Sequence, residues 1–128
     1  MTEQAVVLLA FLFVGHFLGD FTPLASARIQ EAKVAGRPLA PIALHSLIHA
    51  VLLGIAVAAI ARPEPILALA AVTIEFWTHL GLDWLRGKMS ARRPALGDPS
   101  QRIFWTALGL DQLAHTLVLV GIAALVLM

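Results

Sequence analysis

The stretch Glu75-Phe76-Trp77-Thr78-His79-Leu80-Gly81-Leu82-Asp83 places three ionisable residues four apart in a segment otherwise apolar enough to cross a membrane. On a helix, positions four apart lie on one face. Glu75, His79 and Asp83 therefore form a polar stripe about 12 Å long at roughly 1.5 Å per residue. A charged side chain near the bilayer centre costs at least about 2.5 kcal/mol. Three on one face need partners inside the protein.

Working outward, four apolar segments can be marked, at residues 5–22, 40–61, 65–86 and 103–128. Each approaches the ~20 residues that span about 30 Å of hydrocarbon. The 128-residue chain is 59% hydrophobic and 13% charged, with a mean hydropathy of +0.86, outside the soluble range of roughly 25% charged. The expected fold is all-α: one domain, an integral-membrane, up-and-down four-helix bundle in contact with membrane lipids. Cysteine is absent, which excludes disulfides, thiolate ligands and a cysteine nucleophile.

Ala25-Ser26-Ala27 imitates a signal-peptidase site, but residues 1–4 carry no Lys or Arg, and His16 and Asp20 interrupt the apolar run. An uncleaved first span is expected. Between spans one and two, residues 26–35 suit a short interfacial helix ended by Gly36 and Pro38, with Arg28, Glu31 and Lys33 toward water. A polar loop is expected over residues 87–102.

Arg28, Lys33 and Arg37 lie in the first loop, Arg86, Lys88, Arg92, Arg93 and Arg102 flank or fill the third, and Arg62 alone is in the second. By the positive-inside rule the first and third loops are cytoplasmic and both termini outside. Basic residues concentrated in two short loops make no nucleic-acid surface.

The partners of the stripe recur at the same spacing. His16 and Asp20, His45 and His49, and Asp111 and His115 are each four apart, so all five histidines and four of the eight carboxylates belong to such sets. Spans one and three carry their sets near their ends, spans two and four nearer their beginnings. In an up-and-down bundle all of them reach the same, cytoplasmic half. Gln112, about 100° round the helix from Asp111, either supports the cluster or merely packs. Trp77, Trp84 and Trp105 read as interface anchors or lipid-facing bulk.

In a cysteine-free protein, imidazole and carboxylate are the ligands for zinc, manganese or iron, and four-helix bundles build such sites from facing helices. His16, Asp20, His45, His49, His79, Asp83, Asp111 and His115 are the candidate ligands for one or two divalent metals, with Glu75 a further ligand or the general base. Spare coordination positions suit metal-assisted hydrolysis of an ester or phosphoester. Lys88, Arg92, Arg93 and Arg102 would meet an anionic substrate at the same membrane face. The competing readings are a hydrogen-bonded clamp in a non-enzymatic assembly or accessory subunit and a proton or ion relay. The small residues of 54–61 offer a face for a homo-oligomer.

At His16-Phe17-Leu18-Gly19-Asp20-Phe21, Lys33, His45-Ser46-Leu47-Ile48-His49, His79-Leu80-Gly81-Leu82-Asp83 and Asp111-Gln112-Leu113-Ala114-His115, the sequence resembles the small bacterial integral-membrane proteins of domain-of-unknown-function family 3307. The likeness covers nearly the whole chain. It implies a multi-pass protein of the bacterial inner membrane with these His and Asp positions as its signature, and no established reaction. Where members of that family often carry a Gln shortly after the first Asp-Phe, this chain has Thr22-Pro23-Leu24.

Overall fold

The computed structural model describes residues 2–128. The chain enters α1 (Glu3–Phe21) through Thr2, whose side chain accepts from the Ala5 N–H at 3.2 Å, satisfying one of the unpaired donors of the first turn. The helix stops just before Pro23, whose ring disfavours helical geometry in the residue preceding it. α2 (Ala27–Ala35) ends at Gly36, which takes a left-handed φ of +64°, a conformation that glycine adopts without a Cβ penalty.

α3 (Leu39–Ala56) tolerates Pro41 because the first helical turn needs no N–H there. It runs into a π-helical turn, Val57–Ala61, closed by Arg62 at φ +51°. Pro65 opens α4 (Pro65–Arg92), 28 residues long and so about 42 Å. The break comes after Arg93, where Pro94 starts a single 3-10 turn, Pro94–Leu96, ahead of α5 (Arg102–Val126). The expected loop at 87–102 therefore begins about six residues later than its Gly87 suggested. A lone glycine costs a helix only about 1 kcal/mol, whereas proline removes a donor and clashes with the preceding turn.

Four helical segments, Glu3–Phe21, Leu39–Ala61, Pro65–Arg92 and Arg102–Val126, are long and apolar enough to cross a membrane. They pack as an up-and-down bundle, α1 against α3 and α5, and α4 against α3 and α5. One half is filled by an apolar core that includes Leu8, Leu12, Leu53, Val57, Leu119 and Ile122. The outer surface is apolar as well: Phe11, Ile66, Leu117, Trp77 and Trp105 are all more than half exposed. Exposed apolar bulk around buried polar groups is the arrangement that a hydrocarbon solvent requires.

α2 sits across the other half, with Ala32 packed against Ile42 and Leu80. Its approach to α4 is backbone to backbone. A Cβ on Gly87 would overlap the Lys33 carbonyl and the backbone of Gly36. That contact turns α2 so that Lys33, expected to face water, points into the bundle.

Candidate metal centre

Because α1 and α4 run one way and α3 and α5 the other, residues late in the first two and early in the second two meet at one level. His16 and Asp20 from α1, His45 and His49 from α3, His79 and Asp83 from α4, and His115 from α5 are all buried there, none more than 9% exposed. The His79 ring is central. Its centroid lies 3.8 Å from that of His49, 4.4 Å from His115, 5.1 Å from His45 and 5.6 Å from His16. The expected convergence of all four spans is thus present in the structure.

Three groups of side chains could hold a metal ion: His16, His49, Glu75 and His79; Asp20, His45, His49 and His79; and His79, Asp83 and His115. Within each group the ligand atoms lie within 4.8 Å of one another. Buried polar atoms without a hydrogen-bond partner discriminate among them. Among the described residues these are His16 Nδ1, His45 Nδ1, His49 Nε2, His79 Nε2, Asp83 Oδ2 and His115 Nε2. Such atoms carry a desolvation cost of about 1–3 kcal/mol each when nothing meets them. Only in the His79, Asp83, His115 group does every member present one.

The other ring nitrogens of that group are already committed. His79 Nδ1 lies 3.2 Å from Glu75 Oε1, and His115 Nδ1 lies 2.8 Å from the Asp111 main-chain oxygen. With Nδ1 of each ring directed at its oxygen, Nε2 is the nitrogen left to bind. Metal-ligating histidines are held in this way, by a carboxylate or carbonyl behind the ring. The Asp83 carboxylate faces both rings, with Oδ2 3.5 Å from His79 Nε2 and Oδ1 3.9 Å from His115 Nε2. The residues present fit a divalent metal with three protein ligands.

A second set of contacts lies beside this one. Lys33 Nζ sits 2.8 Å from Asp20 Oδ1, 3.0 Å from His45 Nε2 and 3.3 Å from Asp83 Oδ2. Its side chain is only 17% exposed. Burial pulls the ammonium toward its neutral form, but Asp83 and Asp20 outweigh that and hold its pKa above the ordinary lysine value. Gln112 joins the set: its Nε2 donates to Asp20 Oδ2 at 3.1 Å and its Oε1 accepts from His16 Nε2 at 3.2 Å. Gln112 is therefore a support of the cluster.

A cavity of about 330 Å³ adjoins the centre, and Asp20, Lys33, Asp83, Arg86, Asp111 and Gln112 contribute its polar lining, with Phe21 and Phe104 on its apolar side. The carboxylate of Asp111, expected to be a ligand, belongs to none of the three groups and lines this cavity instead. Glu75 does not line it; its carboxylate accepts from His79 at the ring edge opposite Asp83.

Nor do Lys88, Arg92, Arg93 or Arg102 line the cavity; Lys88 Nζ lies 5.7 Å over the Trp84 ring. The arginine that does is Arg86, fixed by Nη1 donating to Ser90 Oγ at 2.5 Å and Nη2 donating to the Leu96 oxygen at 2.6 Å. It lies three residues after Asp83, on the same helix face, a spacing that could have identified it.

The family described as "Protein of unknown function (DUF3307)" matches residues 8–128, nearly the whole chain. No curated protein and no solved structure matches it.

Proposed function

Since the chain belongs to the DUF3307 family, whose description assigns no activity, its function has to be read from the centre itself, and we propose a membrane-embedded, metal-dependent hydrolase acting on a phosphorylated or lipid-linked substrate. The observation that carries this reading is the pair of inward Nε2 atoms on His79 and His115, which have no hydrogen-bond partner and face the Asp83 carboxylate, beside a cavity lined by Lys33 and Arg86. Zinc, manganese or iron suits a His and carboxylate donor set. Three protein ligands leave a position open, as catalytic sites do.

When bound, the metal supplies Lewis-acid polarisation of a substrate oxygen and activation of water. The remaining work falls to side chains of this chain. Lys33 and Arg86 attract and orient an anionic group, and Phe21 and Phe104 accept an apolar portion. Asp111, free of the ligand groups, takes the proton of the attacking water as its oxygen bonds to phosphorus or acyl carbon. The bond to the leaving oxygen then breaks, and Asp111 returns the proton to it. Glu75 holds the His79 ring. In the bacterial inner membrane, with the first and third loops cytoplasmic, the cavity would open toward the cytosol.

Elemental analysis of protein purified without added metal tests the first half of this reading, with about one equivalent of a transition metal expected. Release of nitrophenol from p-nitrophenyl phosphate and its diester, and of fluorophore from a phosphatidyl ester in mixed micelles, tests the second. Asp83→Asn should abolish both. Metal without hydrolysis of any of these esters would leave a binding protein and sink the enzyme. Less than about a tenth of an equivalent, with stability unchanged in chelator, would favour a structural clamp. The bonds through Asp20, Lys33, His45 and Gln112, which tie α1, α2, α3 and α5 together, are the observation on that side.

A further inference from the structure

Nine side chains with metal-binding chemistry suggest room for two ions, but the geometry points to one, and we infer that Lys33 is the second cation of the centre, occupying the position between Asp20 and His45 that a second metal would take. This rests on the metal-binding reading above.

Three observations support it. All three groups able to hold an ion include His79. With its Nδ1–H given to Glu75, His79 has one lone pair, at Nε2, and one lone pair serves one metal. With His79 given to one ion, a second would keep Asp20, His45 and His49 of its group, and Lys33 stands against two of those three.

The second observation is where Lys33 lies. Asp20 Oδ1 and His45 Nε2 are 3.0 Å apart, close to the separation of two ligands on one ion, and the ammonium sits 2.8 Å and 3.0 Å from them. A metal about 2 Å from both atoms would need the space that the ammonium fills, whereas in the His79, Asp83 and His115 group Lys33 meets one ligand atom alone, Asp83 Oδ2 at 3.3 Å. Either the ammonium or the metal can be there.

The third is charge. Glu75, Asp20, Asp83 and Asp111 carry four formal negative charges, and Lys33 and Arg86 two positive ones. A single divalent ion balances the set. A second would leave a net positive charge in a site where unpaired charge is costly. α2 thus serves as a tethered counter-ion, delivered by the Gly36 and Gly87 contact.

The test is metal stoichiometry in detergent-solubilised protein, titrated with Mn²⁺ or Zn²⁺, separated from free ion by gel filtration, and read by elemental analysis and Mn²⁺ paramagnetic resonance. Wild type should bind about one equivalent, with the spectrum of an isolated ion. Lys33→Met and Lys33→Gln should bind about two, with the exchange coupling of neighbouring ions. Asp20→Asn, which leaves His79, Asp83 and His115 intact, should keep one. Two equivalents in wild type would overturn the inference while leaving the metal reading standing; none would overturn the reading beneath it. One equivalent in wild type and in a folded Lys33 variant would remove Lys33 from this role. Should neither Lys33 variant fold, loss of the metal in Asp20→Asn would overturn the assignment, and its retention with one isolated ion would uphold it.

Discussion

Gly87→Ala is the most direct probe of how the centre is assembled. The added Cβ would collide with the Lys33 carbonyl and with Gly36, both main chain, so no rotamer change can relieve it. α2 must move away from α4. Overpacking of this kind costs about 1–3 kcal/mol. Here that cost falls on one local equilibrium, docked against undocked α2, because the apolar core at the other end of the bundle is untouched. At about 1.4 kcal/mol per factor of ten, the undocked population should rise about fivefold to about a hundredfold.

Since the chain contains no cysteine, the opening can be read with one introduced thiol. Ile29→Cys places it on the buried face of α2, at a position 3% exposed. The maleimide labelling rate of Ile29→Cys should then increase by that factor when Gly87→Ala is added, while thermal unfolding of the bundle shifts little. Labelling rates within twofold of each other would refute the claim that this contact holds α2, and with it the account of why Lys33 is inside.

Three further outcomes are expected. Glu75→Gln should weaken metal affinity about 10- to 100-fold, the usual effect of losing the group behind a ligating histidine, measured by competition with a chromophoric chelator; an unchanged affinity would mean that Glu75 does not orient His79. Gly19→Ala would push a Cβ into the His49 ring, which is hemmed in by His16, His45 and His79, and should destabilise the protein by about 1–3 kcal/mol in denaturant titration. The Lys33 pKa is raised on folding, so its ion pairs contribute fully below the ordinary lysine pKa of 10.5 and are lost as pH climbs through the higher folded value. The alkaline loss of thermal stability should therefore be steeper in wild type than in Lys33→Met; parallel curves would count against a buried ammonium.

The fold and the meeting of the polar pairs were legible because both follow from local rules. Apolar length marks the spans, and spacing of four places His16 with Asp20, His45 with His49 and His79 with Asp83 on single faces. Antiparallel connectivity does the rest. Lys33 was not legible, since a nine-residue helix bearing Arg28 and Glu31 reads as a surface helix until its docking is known. That docking depends on Gly36 and Gly87, which are 51 residues apart and carry no side chain to advertise it. Arg86 was read as a loop-flanking charge because Gly87 looked like a helix end; with α4 continuing to Arg92, it falls one turn below Asp83. Asp111 stands outside the three groups for a subtler reason. What this residue offers to His115 at bonding distance is its main-chain oxygen, 2.8 Å from Nδ1, while the carboxylate stands 4.0 Å off.

The rings of His79 and His115 are pinned from behind whether or not anything sits in front of them. Most of the ordering that capture of an ion would demand has been completed on folding, so the empty and filled states should share one backbone, with the filled one merely harder to melt. A small zinc module that collapses when stripped behaves in the opposite way. An ion could therefore come and go within the bilayer without dismantling the bundle around it.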